Sequence, residues 1–293
     1  MIKRALALIA GLAMVAVAVP LLGPAEQSDA APIQIGRVHE SFQPEDGKIF
    51  ILFMGSDARH GNPNSRADAI HLVGINTDKM RGGIINIPRD SWVNIPGYGS
   101  AKINEGLYHG GPELMAKTVE NVTGIRIDYW VMTGFEGFQG LIRDVGGIHI
   151  NLKQDVYDIG WSGANLKKGK QVVKGAQALA YNRARHAFGG GDITRTTNQG
   201  RFLLSMLREL RNEVQFNPSR LLTWIAAGRQ HTRFNVSPDE QFRLGVLASQ
   251  LSPKDIGNVT VPVSVGAVGA ASVVFISPGA NDIYKRLRAN AYL

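Results

Sequence analysis

The chain contains the stretch Lys48-Ile49-Phe50-Ile51-Leu52-Phe53-Met54-Gly55-Ser56-Asp57-Ala58-Arg59, an apolar run that ends in a glycine and charged residues. The run 48–54 is short and rich in isoleucine and phenylalanine, which predicts a buried β-strand. The polar residues 55–59 then lie at the end of this strand. Ligands of α/β proteins tend to bind at strand ends, so this stretch indicates both a sheet and a candidate site.

Similar apolar runs recur along the chain and alternate with helical patterns. Further strands are predicted over 69–76, 83–88, 127–133, 147–152, 258–263 and 271–276. Helices are predicted over 112–122, 135–145, 174–181, 195–215, 218–228, 238–251 and 280–289. This alternation is typical of a single α/β (mixed α+β) domain, here 48–293, with a central mixed β-sheet flanked by helices.

The N-terminal segment has the pattern of an export signal. Lys3 and Arg4 precede an uncharged, alanine-rich run over 5–25. Residues 1–26 are therefore predicted to be a signal peptide or a membrane anchor, and both interpretations stay open. The polar residues 27–47 are predicted to form a tether. The rest of the protein is then extracytoplasmic, either membrane-anchored or, after cleavage, periplasmic or secreted.

Composition excludes several classes of protein. The chain has no cysteine, which excludes a disulfide scaffold, an iron–sulfur cluster and thiol catalysis. An apolar content of 44% excludes a disordered chain. The net charge of +8 is concentrated in residues 166–211, where ten basic residues stand against two acidic ones. This local excess indicates an anionic partner.

Charged residues occur in pairs at predicted strand and helix ends. Asp57 and Arg59, Arg66 and Asp68, and Arg183 and Arg185 are each spaced i, i+2, which brings both side chains to one face only in extended backbone. Helix 174–181 is therefore expected to end before Arg183. A fourth pair, Arg195 and Gln199, has the i, i+4 spacing of one helix face.

Several arginines around two aspartates suit a pyrophosphate ligand. Arginine contacts phosphate oxygens with two hydrogen bonds, and paired carboxylates can hold a Mg²⁺ ion that bridges the same oxygens. Arg89 follows the predicted strand 83–88, at an edge where such a ligand would bind. The sequence has no phosphate-binding loop, no dinucleotide fingerprint and no nucleophile elbow of a serine hydrolase.

The order and spacing of these segments resemble the LytR-CpsA-Psr family of cell-wall glycopolymer transferases. The resemblance extends over about 48–289 and is carried by the segments 55–59, 66–68, 87–91, 102–104, 110–111, 146–148, 175–185 and 191–199. It implies an extracytoplasmic, membrane-associated phosphotransferase. Such enzymes move a glycopolymer from a polyprenyl-pyrophosphate carrier to peptidoglycan or another envelope acceptor, with Mg²⁺ (or Mn²⁺) as cofactor.

The resemblance also implies roles for individual residues. Asp57 and Asp68 would hold the metal ion. The catalytic residues would be Arg59, Arg66, Arg89 and Asp68. The pyrophosphate would contact Arg59, Arg66, Arg89, Lys102, Arg183, Arg185, Arg195 and Gln199. The polyprenyl tail would lie in an apolar tunnel between sheet and helices, next to the aromatic side chains of 134–138.

Two positions depart from the family pattern. Ala67 replaces the usual serine between Arg66 and Asp68, and Asn198 replaces an arginine before Gln199. The second change removes one cation from the expected pyrophosphate site. Arg201 is the nearest replacement, but on a helix it would face elsewhere.

Three other functions remain compatible with the residues. The site could hydrolyse the same lipid-linked pyrophosphate, since only the acceptor differs. It could also bind polyprenyl pyrophosphate or an anionic glycan without catalysis, using the arginines but no metal. Nucleic-acid binding has one candidate, the lysine run 167–174, but the acidic residues at the site argue against a groove for backbone phosphates, so no nucleic-acid partner is expected.

Overall fold

The computed structural model describes residues 33–37, 47–57, 65–234 and 236–293. Its central feature is a seven-stranded mixed sheet. The strands are β1 (Ile33–Arg37), β2 (Lys48–Ser56), β3 (Ala67–Asn76), β4 (Arg81–Asn86), β7 (Tyr129–Thr133), β12 (Thr232–Phe234) and β13 (Ile256–Thr260). Their order across the sheet is β12-β1-β7-β2-β3-β4-β13. Strand β2 pairs antiparallel with β3 and parallel with β7. The predicted single α/β domain with a mixed sheet is confirmed.

Seven helices accompany this sheet in the described residues. They are α1 (Glu105–Thr123), α2 (Phe135–Asp144), α3 (Gly175–Arg183), α4 (Gly191–Phe216), α5 (Arg220–Gln230), α6 (Pro238–Gln250) and α7 (Ala280–Asn290). No helix in the described ranges combines the length and the apolar character needed to cross a membrane.

Alternating side chains of β2 bury both faces of the sheet. Leu52 and Met54 pack into one core with α1 and α7, whereas Ile49 and Ile51 pack into a second core with α4 and α6. Because successive side chains of a strand point to opposite faces, an apolar run such as 48–54 can serve two helical layers at once. The sheet therefore lies between helices, as its sequence indicates.

Four two-stranded sheets complete the fold. They pair β5 (Trp92–Ile95) with β6 (Gly99–Lys102), β8 (Ile148–Leu152) with β11 (Gly169–Val173), β9 (Val156–Asp158) with β10 (Ala164–Leu166), and β14 (Val263–Val268) with β15 (Ala271–Ile276). Most of these strands escape prediction because a strand of three to six residues in a hairpin carries little periodic signal. A third core lies beneath β8–β11 and includes residues of α2 and α3.

Several predicted boundaries need correction. Helix α1 begins at Glu105 rather than at residue 112, and it is interrupted at Gly110 and Gly111, where Gly111 has φ of 68°. Pro112 follows this break, which explains why it resembles a helix start. Helix α3 extends to Arg183 before the chain becomes extended at Ala184, two residues later than expected.

Part of the predicted tether belongs to the sheet. Residues 33–37 form β1, which pairs with β7 and β12. Both partners are distant in sequence, so the local composition of 27–47 gives no sign of this pairing. The other tether residues before Gly47, together with the predicted signal or anchor over 1–26, lie outside the described residues.

Candidate active site

A β-bulge positions Asp68 at the candidate site. Ser56 of β2 pairs with Ala67 of β3, but Gly55 pairs with Ala69, which leaves Asp68 as an extra residue between the two pairs. A bulge re-aims the side chain that it carries and is common beside active sites. The Asp68 carboxylate accepts a hydrogen bond from Nη1 of Arg89, on the loop that follows β4.

Arg89 lies among three carboxylates. In addition to Asp68, its Nε is 3.9 Å from Asp90 and 3.7 Å from Asp192. Burial alone would lower the pKa of the Arg89 guanidinium, but the three carboxylates outweigh burial and raise it. Arg89 therefore stays charged in a half-buried position at the end of a central strand.

Arg195 is the most deeply buried cation of the site. Its side chain is only 6% exposed, and Nη2 lies 2.6 Å from Oδ1 of Asp192, one helical turn earlier on α4. Burial lowers the pKa of Arg195, and the Coulombic attraction of Asp192 opposes that effect only in part. Arg89 and Arg185 lower this pKa further, because like charges repel.

The charges in this cluster are paired, but several of its buried polar atoms lack a hydrogen-bond partner. Within the described part of the chain, buried Nε of Arg89, Nε and Nη2 of Arg195, and both carboxylate oxygens of Asp192 form no hydrogen bond. The contact between Arg195 and Asp192 is thus an ion pair whose atoms are not aligned for hydrogen bonding. Buried donors without partners are costly, so this arrangement is suited to a ligand rich in acceptor oxygens.

Gln199 lies one turn beyond Arg195 on the same face of α4. Its Nε2 donates to the backbone oxygen of Asn182 at 2.9 Å, and its buried Oε1 has no hydrogen-bond partner within the described residues. Asn182, Arg183, Arg195 and Gln199 all line one cavity of about 180 Å³, together with Asp68. The predicted i, i+4 pair therefore faces the same space as the last two residues of α3.

Arg183 is the last residue of α3, and Arg185 lies two residues beyond it. The Arg183 guanidinium stacks on the ring of Phe135 at 4.7 Å, at the start of α2. The loop that follows α3 is held by buried Asp158, whose Oδ2 accepts a hydrogen bond from the backbone N–H of Arg185 at 3.0 Å. Although burial raises the pKa of Asp158, its hydrogen bonds from Arg185 and His186 hold that pKa below the usual value.

The predicted site residues Asp57, Arg66 and Lys102 do not line this cavity. The backbone N–H of Arg66 donates to Oδ1 of Asp57 at 2.7 Å, while the exposed Arg66 guanidinium lies over the Tyr108 ring. Lys102 pairs with Asp90 at 2.9 Å and so joins the Arg89 cluster through a carboxylate. Arg59 lies outside the described residues.

The donor set around Asp57 and Asp68 fits Mg²⁺ in part. The described residues hold no group of three or more histidine or acidic side chains arranged for a metal ion. Mg²⁺ often binds through one or two carboxylates together with substrate phosphates. Asp57 directly follows β2, and Asp68 is the bulged second residue of β3. These two side chains are thus compatible with a metal that arrives with its phosphate ligand.

Apolar side chains line the rest of the cavity. Phe135 and Phe138 of α2 contribute to its wall, as the tunnel prediction requires. A second cavity of about 370 Å³ continues between the sheet and helices α4, α5 and α6. The two cavities share five lining residues: Phe53, Val131, Leu141, Leu203 and Met206. The cavity lined by Asp68, Arg183 and Arg195 therefore adjoins a larger apolar one.

The LytR_cpsA_psr family model matches residues 24–288 of the chain. This protein belongs to the LytR_cpsA_psr family. It is 32% identical over 232 residues to the regulatory protein MsrR of Staphylococcus aureus, which covers 78% of this chain and 69% of that protein. It is also 32% identical over 182 residues to the polyisoprenyl-teichoic acid–peptidoglycan teichoic acid transferase TagT of Bacillus subtilis, or 59% of this chain and 56% of that one.

A solved structure of a family member has the same fold. The structure of YwtF (TagT) with bound octaprenyl pyrophosphate lipid has a TM-score of 0.68 over 90% of this chain and 97% of that chain, at 23% identity. At this identity the match establishes the shared architecture. It agrees with the mixed sheet and helical layers described above.

Three residues at or near the site of the present protein have no role assigned from the sequence. Asp192 was overlooked because α4 begins at Gly191, ahead of its recognisable helical pattern. Asp158 acts on a backbone N–H 27 residues away, for which no sequence signal exists. His71 has the sequence pattern of an isolated interior histidine, yet its side chain lines the same cavity as Ala69, two residues earlier in β3.

The asparagine that replaces the family's arginine points away from the cavity. Asn198 is buried, and its Oδ1 accepts from Nη1 of Arg201 at 3.1 Å. Neither residue lines the cavity, and Arg201 is exposed. Arg201 therefore does not supply the missing cation, in agreement with its predicted helical position.

Proposed function

We propose that this protein is an extracytoplasmic phosphotransferase that moves a glycopolymer from a polyprenyl-pyrophosphate carrier to a cell-envelope acceptor such as peptidoglycan. The observation that carries this proposal is the junction of two unlike environments. Arg195, whose buried Nε and Nη2 have no hydrogen-bond partner among the described residues, lines a mainly apolar cavity that adjoins a second, larger one. A diphosphate with a long prenyl tail is a ligand that matches both.

The names of relatives agree with this chemistry. TagT is named as a transferase of teichoic acid from a polyisoprenyl carrier to peptidoglycan, and one of its structures contains octaprenyl pyrophosphate. The carrier in those names has the same two parts as the site described here.

The reaction that fits the site is a displacement at phosphorus. A hydroxyl of the acceptor attacks the phosphorus next to the sugar, a new P–O bond forms, and the bond to the bridging oxygen breaks. The hydroxyl proton passes to a base, and polyprenyl phosphate leaves with the bond's electron pair. Arg89 and Arg195 would stabilise the negative charge that develops on the phosphate oxygens.

Asp57 and Asp68 would hold Mg²⁺ or Mn²⁺, which would neutralise part of the diphosphate charge. The Asp57→Asn variant tests this role, because asparagine keeps the oxygen that accepts from the N–H of Arg66. We expect this variant to need a higher Mg²⁺ concentration for half-maximal turnover. An unchanged Mg²⁺ titration would remove Asp57 from the metal site.

The Arg89→Ala variant tests the transfer itself. We expect turnover of a lipid-linked pyrophosphoryl saccharide to fall by about 10²–10³-fold, the usual loss when a donor to a transition-state anion is removed. The exposed Arg143, whose partner is the adjacent Asp144, provides the matched control variant Arg143→Ala. Wild-type turnover by Arg89→Ala would refute the assignment.

The acceptor is identified by the fate of the product. Saccharide bound to added peptidoglycan indicates transfer, whereas free phosphosaccharide indicates hydrolysis of the same linkage. We expect the bound product to dominate when acceptor is present. Release of free product at the same rate with and without acceptor would favour a hydrolase instead.

Export is proposed for the N-terminal segment. Residues 1–26 would serve as a membrane anchor or a cleaved signal, which agrees with an envelope substrate. Mass spectrometry of the N terminus of the mature protein distinguishes the two forms. Recovery of the full chain in the cytosolic fraction would contradict both.

A further inference from the structure

An exposed aromatic surface lies beside the predicted pyrophosphate-binding loop. The hairpin of β9 and β10 carries Tyr157 and Trp161, whose side chains are 69% and 70% exposed. Ile159 between them is also exposed. Large aromatic side chains that lie on one hairpin are rarely this exposed unless they contact a ligand or a partner.

The inner face of this hairpin packs against the protein core, which holds the hairpin in place. Val156, Asp158, Ala164 and Leu166 alternate with the exposed residues and are buried. Three of these four are apolar and pack into the core beneath α3. The outward positions are therefore held on a fixed support.

Trp161 is connected to the candidate active site by a short chain of contacts. Its ring packs against His186 with centroids 4.5 Å apart. His186 Nδ1 lies 3.2 Å from Oδ1 of Asp158, and the other oxygen of Asp158 accepts from the backbone N–H of Arg185. The aromatic surface and the arginine loop are thus parts of one rigid unit.

Polar groups share the aromatic face. Asn165 pairs with Tyr157 across the hairpin and is exposed on the same side. Lys167 lies farther along this side and pairs with Asp155 at 2.9 Å. An aromatic ring that is flanked by an amide and an ion pair suits a sugar, whose C–H face stacks on the ring while its hydroxyls find hydrogen-bond partners.

A membrane surface fits this face less well. Interfacial segments combine aromatic residues with unpaired lysines or arginines that are attracted to anionic lipid. Here Asp155 neutralises Lys167 and would itself repel anionic headgroups. The neighbouring Lys153 and Lys168 are exposed and form no ion pair among the described residues, so the preference for a glycan rests on the ring and amide of Tyr157 and Asn165 rather than on charge.

We propose that the outer face of the β9–β10 hairpin, centred on Tyr157 and Trp161, binds the glycan strand that accepts the transferred polymer. The inference rests on the proposed function for the identity of this acceptor. None of the exposed hairpin residues lines the cavity, so the surface is separate from the part of the site that would hold the donor's diphosphate and prenyl tail. Its attachment to the Arg183–Arg185 loop would bring an acceptor hydroxyl toward the reacting phosphorus.

Binding of the acceptor without donor provides the direct test. Soluble peptidoglycan glycan strands are titrated into the full chain by calorimetry. We expect Trp161→Ala and Tyr157→Ala each to weaken binding about tenfold, as for an aromatic anchor at a binding surface. Trp161→Phe should recover most of the affinity. Phe216→Ala removes another exposed aromatic residue, at the end of α4, and should leave binding unchanged.

Kinetics and vesicle binding discriminate the other occupants. We expect Trp161→Ala to raise KM for the acceptor and to leave KM for the lipid-linked donor unchanged. Wild-type glycan binding by Trp161→Ala, an increase confined to the donor KM, or loss of binding to phosphatidylcholine–phosphatidylglycerol vesicles with glycan binding intact would each overturn the inference. Absence of all transfer by the wild-type protein would instead contradict the proposed function, because glycan binding is measured independently of turnover.

Discussion

The guanidinium of Arg195 lies 2.6 Å from the carboxylate of Asp192, yet the two atoms that make this contact form no hydrogen bond. Asp192 also lies near Arg89, so one carboxylate compensates two cations from different elements of the fold. Because it does not line the cavity, we assign it a positioning role. The pair keeps both guanidiniums charged while their buried donors stay available to a ligand.

Removal of the Asp192 charge should have opposite effects with and without ligand. We expect Asp192→Asn to lower the free energy of unfolding of the free protein by about 1–3 kcal/mol, because Arg195 loses its compensating charge. Inorganic pyrophosphate should then raise the unfolding temperature of the variant more than that of the wild type, since the anion replaces the lost carboxylate. Thermal unfolding with and without pyrophosphate measures both effects.

The control for this experiment is Asp155→Asn, which removes a carboxylate from an exposed lysine at the surface rather than from a buried arginine. It should change neither quantity appreciably. A smaller pyrophosphate effect in Asp192→Asn than in the wild type would show that Asp192 itself helps to hold the ligand.

Constriction of the apolar space should discriminate between carriers of different length. Leu203 lies where the two cavities meet, so tryptophan at this position should obstruct the passage to the larger one. We expect Leu203→Trp to process a geranyl-pyrophosphate-linked saccharide and to lose most activity toward the undecaprenyl form. Turnover of both substrates by purified enzyme measures this ratio.

Leu222→Trp introduces the same ring at a partly exposed position of α5 and serves as the control. An equal loss of activity toward both carriers in Leu203→Trp, with normal thermal stability, would mean that the prenyl tail does not pass this junction.

Acid should destabilise the protein through His71. Its Nδ1 faces Oδ1 of Asn86 at 2.8 Å, and the Asn86 amide donates to Asn258, so Nδ1 carries the proton and Nε2 does not. Burial lowers the pKa of His71 to about 4, although the hydrogen bond with Asn86 opposes this shift. The unfolded chain therefore binds a proton at higher pH than the folded protein.

The sign of the pH effect follows from this difference. The contribution of neutral His71 is complete above pH of about 6.5 and is lost progressively as the pH falls to about 4, for a total of about 3 kcal/mol. Denaturant unfolding across this range should show a shallower pH dependence in His71→Gln, which keeps an amide donor toward Asn86. Identical slopes for wild type and variant would exclude His71 as the titrating group.

The predictable part of the site is the part encoded by short-range spacing. Helix α3 ends at Arg183, two residues beyond its predicted end, so only Arg185 of that pair lies in non-helical backbone, whereas Arg195 and Gln199 share one face of α4 as predicted. Such predictions need only the periodicity of neighbouring residues. The same holds for the strand over 48–54 and for the position of Arg89 after β4.

The unpredicted part depends on contacts between distant residues. Asp158 supports the arginine loop through a backbone N–H, and a backbone group has no residue identity to recognise. Strand β1 exists because β7 and β12 flank it. The role of Asp192 depends on the approach of α4 to the end of β4, which no local pattern specifies.

The bulge at Asp68 places a constraint on chain length rather than on residue type. Side chains alternate along a strand, so deletion of Ala67 would restore regular pairing and set Asp68 opposite Ser56, on the sheet face that packs against α1. The carboxylate would then enter the apolar core shared with α1. Insertions and deletions at this point should therefore be less tolerated than most substitutions, even conservative ones elsewhere in the site.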